Sequence, residues 1–400
     1  MIRLDRLLTR PQGYNAPRTR TINVGALISH IQRQGPVSRR DLARAIGLNP
    51  ATVSKITNSL IADGVVMETG FGESATGRKP VLLTLNSSQH CIVAVNLDRT
   101  SVTCAVTDMS GEVTANVSLR APDLHQTHVS FDMVDHCIEL ALAMVPPERS
   151  VLGIGVGAPG PLSMARGEIA AAGLPGWKDI PVRDRLEAKY HVPAFIDDRA
   201  NTLALAEKWF GQARNEDDFI YVVVGRGIGL SIMSGCLLYR VGGDCPIQFG
   251  HTCIEVDGRS CACGRRGCLE TYASLQAVVN QVHAALSRGE PSILADQPDI
   301  DPTDVAVAAL QGDKLARDAF AEATRYLSEG IGNAINLFHP NLVFVNVHLP
   351  HPDVLMTPAA IEALAEHYPG TRFVLTSLDA VHSAAGSASL VLEGLYGSWA

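Results

Sequence analysis

The sequence predicts an α/β protein that carries an N-terminal winged helix-turn-helix. Three observations lead there: a positive head on a negative body, a helix-turn-helix spacing early in the chain, and strands alternating with helices through the rest. The chain has 400 residues, 46% hydrophobic and 18% charged, with a formal net charge of −8. That apolar share excludes a disordered chain, and the length predicts two or three domains. No stretch approaches about 20 uninterrupted apolar residues, so no membrane-spanning helix is expected. The opening MIRLDRLLTR does not read as a secretory signal. Nine cysteines, three of them between Cys261 and Cys268, argue for a metal site in a cytoplasmic protein and against a disulfide framework.

The charge is split along the chain. Residues 1–90 hold 12 Lys and Arg against five acids, a balance of +7; the remainder carries −15. A basic head on an acidic body suggests a polyanion-binding module joined to a second function. Within the head, Thr21 to Gln34 reads as a helix ended by Gly35-Pro36. Ser38 to Ile46 reads as a second, with Ser38 and Asp41 at capping-box spacing. Asn49-Pro50 opens a third that runs to about Asp63, with Val53, Ile56, Leu60 and Ile61 inward. VVMETG and PVLLTL then form two strands around the loop FGESATGRK, which makes a wing. A three-helix protein-interaction module is the competing reading; the positive charge and the wing argue against it. A recognition helix needs short polar side chains where base edges lie, and Asn49, Thr52, Ser54, Lys55 and Asn58 supply them. Thr52 and Ser54 suit phosphates equally well. Arg39, Arg40 and Arg44 are expected to face the DNA backbone, and Arg78 and Lys79 at the wing tip to enter a minor groove.

Six β-prone runs recur through the body, at 91–97, 151–158, 192–197, 219–225, 342–347 and 373–378. Helical stretches lie between many of them: Val129–Met144, Val182–Tyr190, Asn201–Trp209, Leu275–Leu286, Leu315–Phe338 and Ala359–His367. The alternation predicts mixed or parallel sheets covered by helices. GAPGP (157–161) and GRGIGL (225–230) read as glycine-rich turns after strands. The segment Cys261-Ala-Cys263-Gly-Arg-Arg-Gly-Cys268, with His251 ten residues upstream, offers three thiolates and an imidazole. That set closes a tetrahedral Zn²⁺ shell, the mark of a structural site. Cys91, Cys104, Cys137, Cys236, Cys245 and Cys253 have no such spacing and are expected to be small core residues.

These residues together resemble the ROK family of repressors and sugar kinases. GIGVGAPGP (153–161), LPGW (174–177), ANTLALAEKWFG (200–211), FGH (249–251) and CACGRRGCLETYAS (261–274) are similar to its motifs, in its order. The winged helix adds the NagC/XylR-type repressor branch. The resemblance implies a two-lobed, actin-like (RNase H-like) ATPase/sugar-kinase fold with zinc near a sugar cleft. It also implies homodimers or homotetramers and control of sugar-related genes. The expected division is 1–88 for the winged head, 89–198 with 380–400 for the small lobe, and 199–379 for the large lobe with the zinc loop.

The departures from the family matter. Its kinases carry D-x-G-G-T on the first strand, where this chain has Asn96-Leu97-Asp98-Arg99-Thr100. The catalytic Asp position is Arg199, which accepts no proton. The late glycine pair is replaced by Asn346-Val347-His348. No enzymatic activity is therefore expected. Among sugar-contacting positions, Gly173, Asp198 and Gln248 are altered, while His251 and Glu270 remain. Arg199 adds a fixed charge beside Asp198. It serves either an internal ion pair or an anionic effector such as a sugar acid or sugar phosphate. The expectation is a DNA-binding regulator, a repressor on a double-stranded operator. A sugar kinase with an added head, and an effector-less interaction platform, are the alternatives.

Overall fold

The computed structural model describes residues 16–73, 79–98, 101–120, 129–171, 177–240, 246–377 and 380–397. The head opens with α1 (Ala16–Gln34), which begins five residues before the sequence prediction. Strand β1 (Val37–Ser38) leads into α2 (Arg39–Ile46). Ser38 caps α2 by accepting from the Asp41 N–H and donating to its carboxylate at 2.6 Å. Helix α3 (Pro50–Ala62) starts at the Asn49 cap, with Pro50 at its first position. Strands β2 (Val66–Phe71) and β3 (Val81–Leu85) form the wing, and β1 pairs with β3 on the other side.

The body contains two five-stranded sheets of one topology. The first runs β11-β7-β4-β5-β6 and is built from β4 (His90–Leu97), β5 (Ser101–Thr107), β6 (Val113–Arg120), β7 (Ser150–Ala158) and β11 (Ala194–Asp198). Strands β4, β7 and β11 are parallel, while β5 and β6 form an antiparallel edge. Between β6 and β7 lies α4 (Phe131–Leu142). Between β7 and β11 lie β8 (Leu162–Ser163), β9 (Glu168–Ala171), β10 (Lys178–Ile180) and α5 (Val182–Tyr190).

Helix α6 (Arg199–Trp209) crosses from the first sheet to the second. The second sheet, β14-β13-β12-β15-β16, repeats the pattern with β12 (Phe219–Val224), β13 (Ile228–Ser234), β14 (Leu237–Leu238), β15 (Leu342–Val347) and β16 (Arg372–Thr376). Its helices are α7 (Glu270–Ala273), α8 (Leu275–Ser287), α9 (Pro302–Leu310), α10 (Lys314–Phe338) and α11 (Pro358–His367). The chain then returns: α12 (Ala380–Gly386) lies on β4 and β5, and α13 (Ala388–Tyr396) on β7 and β11. This duplicated sheet arrangement is the actin-like one. No helix among the described residues is long and apolar enough to cross a membrane.

Two sequence expectations need correction. GRGIGL is a turn only through Gly227; Ile228 to Leu230 pair with β12 and bury their apolar side chains. Of the six supposed core cysteines, Cys91, Cys104 and Cys137 are buried. Cys236 is half-buried at the β13–β14 turn, where its thiol donates to Asp217 at 2.7 Å. Cys253 is exposed; only its backbone meets that of Cys268, in an isolated antiparallel pair, and both thiols are free. Cys245 lies outside the described residues.

Candidate functional site

The head presents one polar face. In α3, Val53, Ile56, Thr57 and Leu60 are buried, which turns Thr52, Lys55 and Asn58 to solvent. Asn49 is exposed at the cap, and Ser54 is half-buried. Arg40, Arg44 and Lys79 are exposed, whereas Arg78 lies outside the described residues. Arg39 differs from its neighbours. Its guanidinium donates to Thr57 Oγ1 at 3.1 Å, Asn58 Oδ1 at 3.3 Å and Glu68 Oε1 at 2.9 Å. Sequence spacing gave no sign of this network, because Glu68 reaches Arg39 only through the wing.

In the body, His251, Cys261, Cys263 and Cys268 come together. Their ligand atoms lie within 4.8 Å of one another, close enough to surround one metal ion. His251 Nδ1 is 3.5 Å from Cys261 Sγ, and Cys263 Sγ is 3.7 Å from Cys268 Sγ. The loop closes because Gly267 adopts φ +73°; a Cβ there would meet the Glu255 carbonyl oxygen at 1.7 Å. Glu270 opens α7, and its carboxylate lies 3.4 Å from His251 Nδ1 and accepts from Cys261 at 3.3 Å.

Beside this His–Cys cluster lies a cleft of about 550 Å³, lined by Asp98, Asp198, Arg199, Gln248, His251 and Glu270 among others. The structure therefore gathers the described effector candidates; Gly173 lies outside the described residues. Arg199 pairs with Asp98 at 3.7 Å. Asp198 instead caps α6 by accepting from the Ala200 N–H at 2.8 Å. Its burial, and the Asp197 carboxylate next to it, push its pKa up to about 6. Asp197 is held by Arg240 at 2.5 Å and by Asn201 at 2.8 Å, and Ser231 in turn donates to Asn201 at 2.8 Å. That buried chain fixes the start of α6. His348 follows β15 and stands against the Gly225 turn. Its burial and the Arg199 charge pull its pKa down to about 3, so the ring is neutral. Sequence marks His348 only as a replacement for a glycine; in the fold it walls the turn at Gly225.

Comparison with known proteins extends the picture. The ROK family profile matches residues 92–393, and a winged helix-turn-helix DNA-binding profile matches residues 22–67. The xylose repressor of Caldicellulosiruptor bescii is 31% identical over 316 residues, covering 77% of this chain and 78% of the repressor. A solved ROK family transcriptional regulator, described as a homologue of the Escherichia coli MLC protein, superposes with a TM-score of 0.79. It is 27% identical and covers 95% of this chain and 98% of its own. A ROK family glucokinase from Streptomyces griseus, solved with glucose and AMPPNP, superposes with a TM-score of 0.64. It is 25% identical and covers 75% of this chain and 98% of its own.

Proposed function

The chain belongs to the ROK family, and from that premise we propose that it is a DNA-binding transcriptional repressor of carbohydrate-related genes without kinase activity. One observation carries the reading: a winged helix-turn-helix whose α3 buries one face and offers Thr52, Lys55 and Asn58 on the other. Such a helix fits the major groove with Asn49 and Ser54 beside it, Arg40 and Arg44 would face the DNA backbone, and Arg78 and Lys79 of the wing would enter a minor groove. A second copy would read the other half of a roughly palindromic operator, as a homodimer or homotetramer in the cytoplasm. Mapping of bound DNA across the genome is expected to give discrete sites beside sugar-utilisation genes. Signal spread evenly over the chromosome would refute the reading.

Loss of phosphoryl transfer follows from charge. The position of the general base is a guanidinium, paired to Asp98 just after the strand whose end would carry the phosphate loop. No sugar-dependent ATP consumption is expected; turnover abolished by Glu270→Gln would restore the kinase reading. The cleft is assigned to a sugar, sugar-acid or sugar-phosphate effector touching Asp198, Arg199, Gln248, His251 and Glu270. A thermal-shift screen over those three classes tests it. A stabilising anion whose effect disappears in Arg199→Ala supports an anionic effector, and no stabilising compound favours a protein-interaction platform.

The three-Cys, one-His group is assigned to structural zinc, because four protein donors leave no open position for chemistry. His251, Cys261, Cys263 and Cys268 would hold the ion and so tie the Cys261 loop to the segment before α7. Elemental analysis is expected to find about one zinc per chain. Chelation or Cys263→Ser is expected to lower the melting temperature.

A further inference from the structure

The recognition surface has two amide side chains, and each has its oxygen engaged by a donor of the protein itself. Asn49 Oδ1 accepts from the Ala51 N–H at 2.8 Å. Asn58 Oδ1 accepts from Arg39 Nη2 at 3.3 Å. A backbone N–H and a guanidinium only donate, so each amide must turn its oxygen inward and its NH₂ outward. Arg39 cannot swing away freely. It is half-buried, and it also donates to Thr57 Oγ1 and to the Glu68 carboxylate on the wing. Thr57 is buried and donates to Val53 O at 2.9 Å, which leaves its oxygen facing Arg39. The Asn58 amide is thus fixed by contacts spanning α2, α3 and β2. Lys55, exposed between the two amides, offers donors alone.

Resting on the DNA-reading role above, we propose that this face reads bases through their major-groove acceptors, guanine N7 and O6 foremost. Arg39 is the positioning residue that sets this preference and is not a phosphate contact. An unrestrained asparagine makes a paired donor-and-acceptor contact with adenine N7 and N6. Here the oxygen is turned toward Arg39 and the NH₂ toward the groove, and an outward NH₂ meeting the adenine N6 amino group places donor against donor. Guanine presents two acceptors on the same edge and has no such conflict.

The test is selection of bound duplexes from a random library by the full-length protein at fixed salt, for the native chain, Asn58→Asp and Arg39→Ala. The native chain is expected to enrich a motif with guanine at the base facing Asn58. Replacing that guanine by 7-deazaguanine lowers affinity about five- to hundredfold. Asn58→Asp is isosteric and keeps Arg39 as its partner. It exposes a carboxylate oxygen, so the same position switches to cytosine, whose N4 donates. Arg39→Ala releases the Asn58 oxygen and lets that position accept adenine, with the salt dependence of binding unchanged. Adenine preferred there by the native chain would overturn the proposal. So would an Arg39→Ala protein that weakens on all sequences alike and loses about one phosphate contact from its salt slope. A native chain that enriches no motif refutes the DNA-reading role itself, which is a different result.

Discussion

Asp198 shows how a residue's neighbours decide its chemistry. The sequence placed Arg199 beside it and invited an ion pair, but the guanidinium goes to Asp98 across the cleft. Asp198 is left capping α6 next to a second carboxylate, with its pKa raised from 3.8 to about 6. As pH rises from about 4 to about 6, the unfolded chain gives up this proton first, and the folded state loses stability across that window. Asp198→Asn keeps the cap and removes the charge. Its stability advantage over the native chain is expected to grow from near zero at pH 4 to about 1–3 kcal/mol at pH 7.5. Chemical denaturation at the two pH values measures it; an equal effect at both would contradict the account. At this scale the gathering of His251, Cys261, Cys263 and Cys268 was legible, because cysteine spacing survives in sequence. The Arg39 network was not, because its acceptors sit 18, 19 and 29 residues away on other elements.

Elements with strong local signals were the readable ones. Ser38 and Asp41, then Asn49-Pro50, marked the starts of α2 and α3, and both caps form as hydrogen bonds. Ser38→Ala is expected to cost about 1 kcal/mol, seen as earlier melting of the chain by circular dichroism. An unchanged transition would mean that the wing pairing alone holds α2. The elements missed did not share one cause. Strand β6 alternates half-buried and exposed positions and so has no apolar run to mark it, and β13 begins among glycines, so its start read as a turn. Helix α9 was missed despite the Asp301, Pro302 and Asp304 start, which forms a complete capping box. Its signal was present and outweighed by the polar residues before it.

At the scale of the whole molecule, the charge split described the head as a separate module, and the packing shows it joined to the body. Leu27, Ile28 and Ile31 of α1 share one core with Trp209 of α6 and Leu390, Val391 and Leu392 of α13. Gln32 donates to the Trp209 carbonyl at 3.3 Å, and Trp209 donates to Glu393 at 3.0 Å. A Cβ on Gly25 would lie 2.1 Å from the Tyr396 carbonyl oxygen, so α1 and α13 approach with no room for a side chain. Composition has no access to this contact between the two ends of the chain. It gives the first sheet, which borders the cleft, a direct mechanical connection to the DNA-facing helices. Gly25→Ala is expected to destabilise the protein by about 1–3 kcal/mol through overpacking. It is also expected to weaken the effect of any effector on DNA binding, as read by thermal denaturation and operator titration. The central claim, that the basic head reads specific DNA, is tested most directly by titrating the protein onto its own upstream region and onto a scrambled duplex at one moderate salt concentration. Binding to the native sequence at least about a thousandfold tighter is the expected result; equal affinity for the two duplexes would contradict it.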